Sequence, residues 1–107
     1  MNRDDAIAYV KMQAITSDDP ALSDAEVGLL VDLCAIADKA GHAPADPDWT
    51  PTYWAIRAVA DAWTLKVDKA AQWVSLSTDG TTLAVGEAYT HLEKAASRWR
   101  RRCAAST

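Results

Sequence analysis

Residues 54–99 decide the fold, and they read WAIRAVADAWTLKVDKAAQWVSLSTDGTTLAVGEAYTHLEKAASRW. Apolar side chains recur at helical spacing on both sides of a short polar segment, which predicts two alanine-rich amphipathic helices. The first helix has a broad apolar stripe, so we expect it to contact neighbours on more than one face. The second helix begins near residues 85–87, and its predicted core face consists of Ala88, Leu92, Ala95, Ala96 and Trp99.

The segment between these helices, Val74–Val85, alternates apolar and polar residues around Asp79-Gly80. Alternation around an Asp-Gly pair predicts two short strands joined by a tight turn. Because an isolated two-stranded hairpin is only marginally stable in water, we expect this hairpin to pack on another element.

Two shorter helices precede this region. Asn2 is a predicted N-cap of the first helix. Ser23 and Glu26 have the spacing of a capping box at the start of the second, and Gly41 is the expected residue just past its end.

A loop is predicted over residues 42–50, because it contains two prolines among turn-forming residues. Thr50-Pro51 has the pattern of an N-cap followed by the first residue of the third helix. The predicted fold is therefore mainly α: one domain over residues 1–107, a small bundle of about four helices with a short β-hairpin between the last two.

Charge is distributed unevenly along the 107 residues, whose net charge is −4. Residues 1–50 carry ten acidic and three basic side chains, whereas residues 94–107 carry five basic side chains and no acidic one. This asymmetry fits head-to-tail contact between copies, or docking on an acidic or phosphate-rich partner. Cations near a helix C-terminus also stabilise the helix dipole, so both interpretations stay open.

Candidate catalytic and metal-binding residues are few. His42 has Asp46 and Asp48 nearby, but a metal site normally needs three or four preorganised ligands. Asp61 and Asp68 lie near Lys66 and Lys69 in the chain, which favours surface ion pairs over a carboxylate pair at an active site.

Known catalytic motifs are not found in the sequence. Cys34 and Cys103 lack the spacing of metal ligands, and Cys34 lies in an apolar run where a thiol behaves as a small hydrophobic group. We therefore expect no enzyme activity, no bound metal and no cofactor.

Two of the five tryptophans are candidate interface aromatics. Trp49 precedes the third helix, where it either staples the start of that helix or anchors a partner. Trp54 is either a core or an interface residue. The sequence contains no apolar run of the roughly 20 residues needed to cross a bilayer and no evident signal peptide, so we expect a soluble, intracellular protein.

The middle and end of the chain resemble a known family. The helix A-x-A-W-T-L-K-x-x-K-A-A of Ala60–Ala71 is followed by V-S-L-S-T-D-G-T-T-L and then by A-Y-T-H-L-E-K-A-A-S-R-W. This order, together with L-S-D-A-E-V-G-L-L of residues 22–30, is similar to the head–tail connector, or adaptor, proteins of long-tailed bacteriophages and prophages. The family's Arg-Ser-Gln before the last helix is replaced here by Val85-Gly86-Glu87.

The resemblance implies a structural virion protein at the neck, made in the host cytoplasm. Its subunits would form a ring, typically of twelve copies, under the portal protein. The ring extends the channel through which DNA passes without specific binding, and it offers a platform to the next connector, stopper or tail protein. The C-terminal basic tail, about residues 98–107, would be portal-facing, through Arg98, Arg100, Arg101 and Arg102. The turn would face the lumen or the next protein, through Ser77, Thr78, Asp79, Gly80, Thr81 and Thr82.

An alternative function is a small nucleic-acid-binding helical module that uses the basic C-terminal helix against phosphates. The acidic remainder of the chain argues against high affinity for nucleic acid. A further alternative is an enzyme or regulatory subunit whose site is completed by a partner.

Overall fold

The computed structural model describes the backbone of residues 1–76 and 82–105 and the side chains of residues 1–72 and 89–105. The described part is a small helical bundle, so the mainly α prediction is confirmed. Helix α3 is central, because each of the other helices packs against it. The helices are α1 (Arg3–Gln13), α2 (Asp24–Asp32), α3 (Ala55–Leu76) and α4 (Thr82–Ala105).

Both predicted helix starts in the first half of the chain are confirmed. The side-chain oxygen of Asn2 accepts the backbone N–H of Asp5 at 2.8 Å. The capping box is complete: Ser23 Oγ accepts the Glu26 N–H at 3.1 Å, and Glu26 Oε1 accepts the Ser23 N–H at 2.9 Å. These bonds satisfy amides that a helix start otherwise leaves without partners.

The predicted end of α2 at Gly41 is wrong, because the helix already ends at Asp32. The chain beyond it pairs with the segment before α3: the Ile36 N–H donates to Thr52 O at 3.0 Å, and the Trp54 N–H donates to Cys34 O at 2.9 Å. Gly41 lies instead in a loop turn, where its φ of +87° favours glycine.

The predicted start of α3 at Thr50-Pro51 is also wrong, because α3 begins at Ala55. Asp38 explains part of this difference. Its carboxylate accepts the His42 N–H at 2.9 Å and the Thr50 N–H at 2.8 Å. These bonds hold Thr50 in the loop, and they lower the pKa of Asp38.

The predicted β-hairpin is not found where its strands were expected. Val74–Leu76 is the last turn of α3, and the residues from Thr82 to Val85 begin α4. Extending an existing helix adds one hydrogen bond for each residue fixed, whereas a lone hairpin is marginal, so helix prevails over a short alternation. The predicted tight turn at Asp79-Gly80 lies outside the described residues.

Small side chains and tryptophan form much of the core. Trp63 and Trp99 are 8% and 5% exposed, as expected for tryptophans that supply core area. The broad apolar stripe of α3 packs on three helices of its own chain. Among the described side chains of α3 and α4, seven alanines are buried: Ala55, Ala58, Ala60, Ala62, Ala70, Ala95 and Ala96.

Lys66 was expected to form a surface ion pair, and this prediction is wrong. Its side chain is 1% exposed, and its Nζ donates to Ala14 O at 2.9 Å and to Ile15 O at 2.8 Å. The ammonium also lies 4.8 Å from the centroid of the Trp63 ring. It therefore binds carbonyls at the C-terminal end of α1, where the helix dipole favours a cation.

Lys69 lies one turn further along α3 and contacts the start of α2. Its Nζ donates to Ala21 O at 3.0 Å and to Glu26 Oε1 at 2.7 Å. The hydrogen bond from Lys69 to the Glu26 carboxylate is the main reason that the pKa of Glu26 is lowered. Lys66 and Lys69 together fix both ends of the connection between α1 and α2 to α3.

The part of the chain that the structure describes holds no helix with the length and apolar character that membrane crossing requires.

We expect Lys66→Met to lower the free energy of unfolding by about 1–3 kcal/mol, because the carbonyls of Ala14 and Ile15 lose their donor. Urea denaturation of the wild type and the variant measures this loss. Lys94→Met is the matched control, because Lys94 is an exposed helical lysine, and its change should stay within about 0.5 kcal/mol. Equal effects of the two substitutions would contradict the role given to Lys66.

The difference in unfolding free energy between the wild type and Lys66→Met should also depend on pH. Burial lowers the pKa of Lys66 below its usual 10.5, so the unfolded chain binds more protons in the window just below that value. Stability of the wild type relative to Lys66→Met should therefore rise as the pH increases through this window. A constant difference would show that Lys66 titrates normally in the folded protein.

Candidate functional site

The outward face of α4 carries a row of cations, which we call the α4 stripe: Lys94, Arg98 and Arg101. Their spacing of four and three residues places them on one helix face, over about 10 Å along the axis. All three are exposed, and none forms an ion pair with another side chain that the structure describes. A shallow groove of about 310 Å³ borders the stripe, lined by Thr90, Glu93, Lys94, Ser97 and Arg101.

The four arginines predicted to bind a partner are all exposed, and they differ in their positions around α4. Arg98 and Arg101 belong to the α4 stripe, whereas Arg102 packs on its own chain with its guanidinium carbon 4.6 Å from the Trp99 ring centroid. Arg100 is exposed but lies about 100° around the helix from Arg101. The predicted basic tail, as far as Ala105, consists of the last turns of α4.

Trp99 links this end of α4 to α1. Its ring meets Tyr9 edge-on, with 6.5 Å between the ring centroids and 85° between the ring planes. Arg102 and Tyr9 therefore contact the same ring, which stabilises α4 at the level of the α4 stripe.

A second exposed surface was not predicted from the sequence. Leu29 on α2 and Leu33, the residue just after its end, are 62% and 67% exposed, and Met12 on α1 is 67% exposed. Helices α1 and α2 pack against each other and against α3, so their outward faces form one surface. We call it the α1–α2 surface, and it also includes the exposed Asp4 and Asp5 at the start of α1.

The sequence carried a signal for this surface. Leu29 and Leu33 lie four residues apart, on the side of α2 away from Val27 and Val31, which are buried. An apolar row on each side of one helix indicates contacts in two directions, and only one of them is filled by this chain.

The candidate interface aromatics lie in the loop before α3. Trp49 donates its ring N–H to Ile36 O at 2.8 Å, and its ring meets Tyr53 with 5.8 Å between centroids. Trp54 is partly buried against the core. Both tryptophans therefore contact residues of their own chain, and neither belongs to the α4 stripe or the α1–α2 surface.

The predicted lumen- or tail-facing turn has almost no place in the described structure. Ser77, Thr78, Asp79, Gly80 and Thr81 lie outside the described residues. Thr82 is the first residue of α4, and the description covers its backbone alone.

His42 is paired with one carboxylate: its Nδ1 lies 3.3 Å from Oδ2 of Asp46, four residues further along the loop. Among the residues that the structure describes, no three His, Cys, Asp or Glu side chains come together as a potential metal site.

Cys34 is a buried thiol beside a carboxylate. Its Sγ lies 3.7 Å from Asp61 Oδ2, and Asp61 in turn lies 3.9 Å from Arg57 Nε. Burial, with a contribution from the charge of Asp61, raises the pKa of Cys34 to about 11. At neutral pH the sulfur is therefore protonated, which makes it a poor nucleophile.

The fold and these surfaces define a small α-helical bundle with two uncovered contact faces on different helices. A scan against protein-family models finds no match to this chain, and searches among curated proteins and among solved structures find none either.

We expect stability to fall at alkaline pH because of Cys34. The unfolded thiol ionises near its usual pKa of 9.0, whereas the folded one keeps its proton to about 11. The wild type should therefore lose stability relative to Cys34→Ala as the pH rises from 9 to 11, by an amount of the order of 2 kcal/mol. Urea denaturation at several pH values measures it, and a difference that stays constant over this range would contradict the assignment.

Proposed function

We propose that this protein is a head–tail connector subunit of a virion, which assembles as a ring under the portal protein. The observation that carries the proposal is the pair of uncovered faces: the cationic α4 stripe and the largely apolar α1–α2 surface. Two distinct contact faces on different helices suit a subunit with neighbours on more than one side. The sequence resemblance supplies the class of assembly.

The cationic end of α4 fits the portal-facing role in this proposal. Arg98, Arg100, Arg101 and Arg102 are all exposed on α4 and able to reach an acidic surface. Arg102 also lies over the Trp99 ring of the same helix, which limits the positions of its guanidinium.

The overall charge is compatible with a channel for DNA. Net charge is −4, and tight binding to phosphates requires positive charge to neutralise them. A ring of acidic subunits would let DNA slide without sticking. The segment between Leu76 and Thr82 would face the lumen or the next connector, stopper or tail protein.

The experiment is co-sedimentation of the purified protein with portal-bearing, DNA-filled, tailless capsids of the virus or prophage that encodes it. We expect binding at a stoichiometry near a dozen copies per capsid. Capsids that lack the portal are the control, and they should bind none. Failure to bind portal-bearing capsids at low and at moderate salt would rule the proposal out.

A second candidate function is nucleic-acid binding, which the exposed α4 stripe favours. Three cations over about 10 Å of one helix face can follow a phosphate backbone. The acidic remainder of the chain opposes such binding, so this candidate ranks behind the connector.

A gel shift with duplex DNA at low salt tests the second candidate. If it holds, replacing Lys94, Arg98 and Arg101 with alanine should abolish the shift, because these side chains would supply the phosphate contacts. The pair Arg100→Ala and Arg102→Ala is the control outside the stripe and should weaken binding less. No shift of the wild-type protein at low salt would eliminate this function.

A further inference from the structure

We infer that the α4 stripe of one copy docks on the α1–α2 surface of a second copy, so that the chain associates head to tail through two different faces. This inference rests on the proposed function and deepens it by naming the two faces that meet between subunits. In such a ring Arg98 and Arg101 would contact the neighbouring subunit, and Arg100, which is exposed off the stripe, would remain for the portal.

The α1–α2 surface has the composition of a contact face. Met12, Leu29 and Leu33 are each more than 60% exposed, although each is large and apolar. Isolated exposed apolar residues are common, but Leu29 and Leu33 lie four residues apart on the same outward side and form an apolar patch that contact with a partner would remove from water.

Unpaired carboxylates lie at the edge of this patch. Asp4 and Asp5 are exposed in the first turn of α1, and neither forms an ion pair with a described side chain. The acidic groups of α2 are used within the chain, since Asp24 pairs with Lys11 and Asp32 with Arg3. The carboxylates left for a partner are therefore those of α1.

The α4 stripe is complementary to this surface in both respects. Its guanidinium and ammonium groups lack an acidic partner among the described residues, and their long aliphatic stems can cover apolar side chains. Asp5 and Met12 are seven residues apart on α1, as are Lys94 and Arg101 on α4. Both pairs therefore span about 10 Å along a helix axis.

The charge balance of the chain favours a second copy as the partner. Every charge at the C-terminal end, from residue 94 onwards, is positive, whereas acidic groups outnumber basic ones in the rest of the chain. Within the described residues the backbones of α2 and α4 do not come close to each other. A contact between two unlike faces is heterologous, and repeated by rotation it closes a ring.

The test uses two double variants: one reverses the charge of the α4 stripe, and the other adds two positive charges to the α1–α2 surface. Arg98→Glu with Arg101→Glu changes the α4 stripe, and Met12→Lys with Leu29→Lys changes the α1–α2 surface. All four positions are exposed, so folding should be preserved, and thermal melting checks it. Sedimentation velocity at low salt, with protein up to about 1 mM, follows association in the range of weak interfaces.

We expect the wild type to associate and each double variant alone to do so at least about tenfold more weakly, because like charges then face each other. An equimolar mixture of the two variants should recover association, since one native contact and one contact of opposite charge form between them. Lys39→Glu is the control: it reverses the charge of one exposed side chain outside both surfaces, and it should associate like the wild type.

Three results would overturn the inference. One is a wild type that stays monomeric at the highest concentration. Another is loss of association in the Met12 and Leu29 variant while the Arg98 and Arg101 variant associates normally. In that case the α1–α2 surface would contact the same surface of the second copy, and the α4 stripe would not be involved. The third is a mixture that behaves like the separate variants. Capsid binding that persists in any of these cases would leave the connector function standing and remove only the proposed contact.

Discussion

The buried ammonium of Lys66 is the interaction on which the arrangement of the bundle depends. It occupies the C-terminal end of α1, where free carbonyls and the helix dipole would otherwise be covered by α3 without a donor. Lys69 does the corresponding work at the start of α2 by joining Glu26 of the capping box to α3. Because both lysines lie on α3, this helix fixes the direction of α1 and α2, and with it the surface that they present.

The two surfaces follow from this arrangement. With α1 and α2 both held on α3, Met12, Leu29 and Leu33 remain exposed among the residues that the structure describes. Helix α4 packs on α3 through small side chains and Trp99, which leaves its cations pointing outward. The row of cations on α4 and the exposed apolar side chains of the α1–α2 surface therefore lie on different helices. Both proposals depend on this separation.

Local signals in the sequence predicted the helices well and their limits poorly. The caps at Asn2 and Ser23 depend on neighbouring residues, so a short pattern suffices to find them. The ends at Asp32 and Ala55 depend on pairing between segments almost 20 residues apart, which no local pattern reports. The buried position of Lys66 was missed for the same reason, because its acceptors are about 50 residues away. The sequence predicted the arginines of the last helix as one group. The contact of Arg102 with the Trp99 ring, which distinguishes it within that group, is visible only in the structure.

The alanines buried in α3 and α4 have a consequence for tracing the descent of this chain. Larger side chains at these positions would force the packed helices apart, so selection there acts through size. Alanine is among the commonest residues and the best helix former, so a core specified by it carries little information that distinguishes one lineage from another. Homologues of such a protein can keep the same architecture while their sequences lose recognisable similarity. Shared ancestry is then better sought in gene order and in three-dimensional arrangement than in residue identity.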